Sequence, residues 1–209
     1  MTFDMEEEIV YMEKPEWISW EQIRECIYKG HESNRDKGVV MINALMSADD
    51  IKIHVGNGHC FVALKGNEVV GTFSLKFLNL RKWWVRGKVA YPCLDGILPE
   101  YKGSDVYFGL NDLRMKCIEE SGVRIIQNNT SEHNMLIRKL AKKKGFKAVM
   151  YTPSGKGADY YSVIHVKWLD GCPYSDKFID FMFNLSKFIV PIIWRPDFSF
   201  RFWFKKKSK

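Results

Sequence analysis

The sequence predicts an α/β fold: a mixed, mostly antiparallel central sheet flanked by helices, followed by a C-terminal extension. Three observations predict it. A two-residue apolar period covers residues 60–64 and 69–78, joined by the turn Lys65-Gly66-Asn67-Glu68, which reads as a β-hairpin. Helical spacing then alternates with short β-rich runs between residues 89 and 168. With 209 residues, 46% of them hydrophobic, and no Pro/Gly/Ser-rich linker, the chain is long enough for one well-formed core.

Taken in order, residues 8–12 read as a first strand. Apolar residues at 17, 20, 23, 26 and 27 mark a helix over 17–30 that Gly30 closes, and a second short helix is expected over 39–46. After the hairpin, residues 89–98 form the next strand. Pro92 lacks the N–H a ladder needs, so it implies a bulge or an edge. Apolar positions 106, 110, 113 and 117 give a helix face over 104–121, ended by Gly122. A strand over 123–128, a helix over 132–144 stopped by Gly145, and strands over 146–151 and 160–168 complete the core. Residues 1–170 are read as one domain and 171–209 as an aromatic and basic extension.

The net charge of +7 is concentrated at one end. Residues 195–209 hold Arg195, Arg201, Lys205, Lys206, Lys207 and Lys209 against Asp197 alone, which leaves the rest of the chain nearly neutral. A basic terminus attracts any polyanion and is not specific for nucleic acid, and no nucleic-acid motif is present. The five cysteines are scattered, with no C-x-x-C pair, and the five histidines lack metal-ligand spacing. Neither a disulfide framework nor a metal site is expected. An acidic start without an apolar run after it gives no signal peptide, so a cytoplasmic location is expected.

The segment Asp95-Gly-Ile-Leu-Pro-Glu-Tyr-Lys-Gly-Ser-Asp-Val-Tyr-Phe-Gly-Leu110 runs from a strand through a turn directly into an amphipathic helix. A helix start fed by such a loop offers unpaired N–H groups and the positive end of a dipole, the usual seat of a phosphate. Further on, Asn134, Leu140, Gly145 and Phe146 form N-x-x-I-x-x-L-A-x-x-x-G-F. These two segments, with Val69-Val70-Gly71 after the hairpin turn, resemble the coenzyme A cradle of the GNAT acetyltransferase superfamily. The likeness spans residues 8–168, about four fifths of the chain.

The resemblance implies an acyl-coenzyme A-dependent N-acyltransferase, with acetyl-CoA or another acyl-CoA as co-substrate and a small-molecule or other primary amine as acceptor. It implies that the strand over 89–98 splays from the one over 123–128 to admit pantetheine as a pseudo-strand. Gly96, Ile97 and Leu98 would then bind pantetheine and polarise the thioester. Lys102, Gly103, Ser104, Asp105, Val106 and Tyr107 would cradle the pyrophosphate with backbone N–H groups, and Asn134 would add a hydrogen bond. Three positions depart from the pattern. Asp105 and Tyr107 replace loop glycines, and Asp105 sets a carboxylate beside a diphosphate; Ala141 stands where many members carry the tyrosine that protonates the thiolate. The alternative is a non-catalytic GNAT-like binding or interaction protein.

Asp95 shares a strand face with Ile97 and is the candidate general base, its alternative being a carboxylate satisfied by a neighbour. Trp83-Trp84 among Arg81, Lys82, Arg86 and Lys88 read first as a hairpin whose tryptophans pack on the sheet, and second as a lip for an acceptor. The run Lys142, Lys143, Lys144, Lys147 is an exposed helix face, with a contact to the 3′-phosphate as the alternative. In the extension, Phe178, Phe181, Leu185, Phe188 and Ile192 keep a helical spacing, while Asp180, Lys187 and Pro191 argue against a transmembrane span. Docking on its own domain or on a second copy in a homodimer is the leading expectation for it. The other is a peripheral membrane contact.

Overall fold

The computed structural model describes residues 8–36, 38, 41–155 and 158–199, and these fall into two compact units, one within 8–81 and 86–123 and the other within 82–85 and 124–199.

In the first unit the order is β1 (Ile9–Glu13), α1 (Trp20–Gly30), α2 (Glu32–Arg35), a 3-10 turn over Ile42–Leu45, α3 (Ala48–Val55), β2 (His59–Lys65), β3 (Glu68–Lys82), β4 (Val85–Ile97) and α4 (Val106–Glu120). The strands lie in the order β1-β2-β3-β4, with β1–β2 and β2–β3 antiparallel. The expected hairpin is present, with Gly66 at φ +58° in its turn, but both arms run longer than the apolar period indicates. Helix α1 starts three residues later than expected because Ser19 and Gln22 form a capping box, which leaves Trp17 outside and exposed. The short helix expected over 39–46 is only the 3-10 turn, and Val39 and Val40 lie outside the described residues. Helix α3 was not anticipated, although Ser47 and Asp50 form a second capping box ahead of it.

Helix α4 packs on β1 and β2 and buries Val106, Leu110, Arg114 and Ile118. This is an i, i+4 row, turned by about one position from the expected 106, 110, 113, 117 face. Gly109 lies in the interior of α4, where glycine costs helix stability. A Cβ there would stand 2.4 Å from the Tyr11 ring, so the missing side chain is what lets α4 approach β1.

In the second unit the order is β5 (Ile125–Ser131), α5 (Met135–Lys143), β6 (Lys147–Pro153), β7 (Tyr161–Trp168) and α6 (Asp176–Ile193), with antiparallel strands ordered β5-β7-β6. The hairpin tip 82–85 belongs to this unit. Trp84 is buried and its Nε1 donates to Gln127 Oε1 at 2.9 Å, while Trp83 meets Tyr174 and Phe178 edge-on at 5.5 and 5.4 Å. The tryptophans therefore pack, and the lip reading falls.

Helix α6 docks on β6 and β7. Val190 and Phe183 join Tyr151, Tyr161 and Val163 in one apolar cluster, Ser186 Oγ accepts from the Tyr151 N–H at 2.9 Å, and the Tyr161 hydroxyl donates to Trp194 O at 2.8 Å. Lys147 of the basic run pairs with Asp176 at 3.1 Å. The docking expectation holds for residues 176–199, and the alternating aromatics and lysines of 200–209 lie outside the described residues.

Candidate functional site

The end of β4 is held from both faces. Leu94 takes φ +51°, a left-handed backbone that breaks the strand's alternation two residues after Pro92, where the missing N–H had pointed to a bulge. The Asp95 carboxylate then turns to α4. Arg114 Nη1 donates to both of its oxygens at 2.8 Å, and the guanidinium lies 4.4 Å from the Phe73 ring centroid. Loss of water pushes the Asp95 carboxyl above its ordinary value, and Arg114 pulls it back.

The Asp95 carbonyl accepts from His31 Nε2 at 3.1 Å, while Asn34 Nδ2 donates to Nδ1 at 3.1 Å. Asn43 Nδ2 also lies 3.3 Å from His31 Nε2, and burial lowers the His31 pKa, which favours the neutral imidazole. Gly96, the next residue, faces the opposite way: a Cβ on it would come within 2.7 Å of Ile27 Cα, and one on Gly30 within 2.9 Å of the Ile97 N and O. Since successive strand residues point to opposite faces, α4 and α1 cover the two faces of β4 at this point.

Two of the expected site residues have partners within the fold. The Asp95 carboxylate pairs with Arg114. Leu98 donates its N–H to Val70 O at 3.0 Å and accepts from the Tyr101 N–H at 3.0 Å, so its N–H is not available to an oxyanion. The Gly96 carbonyl faces Cys26 Sγ at 3.8 Å. Cys93, also on this strand, has its thiol pushed up to about 12 by burial and by Asp95, and so is a poor nucleophile.

A 3-10 turn over Pro99–Tyr101 then leads to the start of α4. Gly103 sits at φ +85° with open space around it. Ser104 Oγ donates to Tyr101 O at 2.6 Å and accepts from the Val106 N–H at 3.3 Å, so Ser104 caps the helix although Asp105 occupies the N-cap position. The exposed Asp105 carboxylate makes no capping hydrogen bond. Lys102 Nζ donates to Ser33 Oγ at 3.3 Å. Val106 is buried, and the Tyr107 ring packs edge-on against Phe73 at 5.6 Å, which gives the bulky residue in place of glycine a packing role. Residues 102–107 thus gather at one helix start, where backbone donors and Lys102 favour an anion and Asp105 opposes it.

In the second unit Asn134 caps α5, its Oδ1 accepting from the Ile137 N–H at 3.2 Å. Ala141 is buried. Sequence reading missed the cluster beside them. Glu132 accepts from the Tyr161 N–H at 3.0 Å and from the Tyr151 hydroxyl, and the two tyrosine rings stack at 5.0 Å. Burial and Glu132 together push the Tyr151 phenol up. No spacing signals this cluster, because a loop, β6 and β7 each supply one member. Arg114 was missed as well, though its place in the row 106, 110, 114, 118 was visible. Among the described residues no group of histidine, cysteine or acidic side chains could hold a metal ion.

No family profile matches the chain, and no curated protein matches its sequence. Solved structures do match its fold. An acetyltransferase of the GNAT family from Staphylococcus aureus superposes with a TM-score of 0.55 at 15% identity, covering 78% of this chain and 99% of that one. An acetyltransferase from Streptococcus agalactiae gives 0.54 at 22% identity over 77% and 98%. Arabidopsis thaliana NAA60 in complex with acetyl-CoA gives 0.54 at 14% identity over 78% and 100%. The chain has the fold of the GNAT acetyltransferases.

Proposed function

We propose that this protein is an acyl-coenzyme A-dependent N-acyltransferase in which a primary amine attacks the thioester directly. The observation that carries the reading is the start of α4. An open, left-handed Gly103 and an exposed Lys102 lie beside a helix N-terminus, directly after a bulged strand, in a fold whose solved examples include NAA60 with acetyl-CoA and the NatC complex bound to Gag peptide and CoA. The N–H groups of Gly103 and Asp105 and the Lys102 ammonium would hold the diphosphate, the Ser104 N–H being given to Tyr101 O at 3.3 Å. Coenzyme A supplies the activated acyl group. The protein's task is to orient that thioester against the amine, which converts a bimolecular encounter into an oriented one. The Ile97 N–H is the donor on β4 proposed for the developing oxyanion, since that of Leu98 is engaged. Asp95, clamped by Arg114 and His31, acts by holding the strand in position. The acceptor proton leaves to water or to a residue of the acceptor pocket.

Release of free thiol from acetyl-CoA in the presence of an amine panel, followed with a thiol reagent, tests this reading. Turnover with any amine above the rate without enzyme supports it. A second reading, a binding protein without catalysis, is favoured by Asp105 in the phosphate loop and by Ala141 where the acid would stand. Coenzyme A binding without turnover on any amine would select it.

A further inference from the structure

We propose that the outward face of α6 is a docking surface for an anionic membrane, holding the protein at the bilayer surface without crossing it. The observation is a second apolar face on a helix that already has one. Ile179, Phe183, Ser186 and Val190 face the second unit's own strands. On the far side Phe181, Leu185, Phe188, Ile189 and Ile192 form a stripe along the 18-residue helix, with Phe181 61% and Phe188 70% exposed, and Phe178, which meets Trp83, stands at its flank. A helix of that length runs about 27 Å, and a surface this apolar facing water is the mark of a binding site. Among the described residues no helix is long and apolar enough to cross a membrane.

Charge decides the occupant. Residues 124–209 hold seventeen lysines and arginines against six acidic residues, whereas residues 1–123 hold fifteen against nineteen. The positive character of the chain therefore lies in the unit that carries the stripe. The residues after α6 add Arg195 and, outside the described structure, Phe200, Phe202, Trp203 and Phe204 beside Arg201, Lys205, Lys206, Lys207 and Lys209. The 3-4-3-4 spacing of 178, 181, 185, 188 and 192 would also suit a second copy's helix. Two such copies would bring like charges together, whereas anionic headgroups neutralise them while the aromatic rings enter the interface.

This inference does not rest on the acyltransferase reading, and its test does not involve coenzyme A. The full chain is sedimented with phosphatidylcholine vesicles containing about 30% phosphatidylserine, and with phosphatidylcholine alone, at low salt and at about 0.5 M salt. Binding to the anionic vesicles that salt weakens is expected. Phe181→Ser/Phe188→Ser should lower partitioning by about tenfold or more, since both rings are exposed and their loss leaves the packed face intact. Changing Lys205, Lys206, Lys207 and Lys209 to Gln touches charge alone and should lower partitioning by about fivefold per lysine near the surface. A folded chain that stays in the supernatant overturns the proposal, as does binding that neither variant changes. Light scattering that shows a dimer broken by the serine variant, without vesicle binding, overturns it in favour of a second copy.

Discussion

Removing either partner of the Asp95–Arg114 pair should destabilise the protein unequally. The Arg114 side chain is 8% exposed, while that of Asp95 is 39% exposed. Asp95→Ala therefore strands an almost fully buried guanidinium, at a cost of about 2–4 kcal/mol, less than for a fully buried pair because the carboxylate side is open to water. Arg114→Met leaves a carboxylate that can rehydrate and puts a flexible apolar chain against Phe73, so about 1–2 kcal/mol is expected. The double variant, with no stranded charge, should be more stable than Asp95→Ala alone. Urea unfolding at pH 7, fitted with a common m-value, measures all three. If Asp95→Ala cost less than Arg114→Met, or the double variant lost the sum of the two, Asp95 would not be the anchor of β4 and a free base role would return.

Three further outcomes follow from the packing and the titrating groups. His165 is 3% exposed, and burial together with Arg138 lowers its pKa from the ordinary 6.5 to about 4. The folded state binds fewer protons than the unfolded one between these values, so stability is complete above pH 6.5 and falls by about 3 kcal/mol on going to pH 4; His165→Gln should flatten that part of the profile measured by chemical denaturation. Gly96→Ala sets a Cβ 2.7 Å from Ile27 Cα, a backbone atom that cannot swing away, and should cost about 1–3 kcal/mol, seen as a lower melting temperature. Asn134→Ala removes the cap of α5 and should cost about 1 kcal/mol of stability with or without coenzyme A, so an unchanged melting temperature would count against the cap.

Much of the fold was legible because the hairpin period, the glycine stops and the alternation of helices with strands are local signals. The sequence misjudged what depends on tertiary partners. The face of α4 was set one position off because Arg114, polar and so discounted, is buried by its pairing with Asp95 and Phe73. Helix α3 was passed over although Ser47 and Asp50 announced it, because its apolar face rests on little more than Ile51 and Val55. The loop residues 102–107 were legible as one group because they are contiguous. Their individual tasks were not readable: Ser104 caps, Tyr107 packs on Phe73, and the Leu98 N–H is drawn to Val70, all contacts that only the folded chain reveals.

Calorimetric titration of coenzyme A into the full chain shows whether the start of α4 receives its diphosphate. The account predicts saturable binding that salt weakens, and about fivefold tighter binding by Asp105→Gly, which removes a like charge that makes no capping hydrogen bond. No heat and no melting shift at millimolar coenzyme A for either protein, or weaker binding by Asp105→Gly, would contradict it.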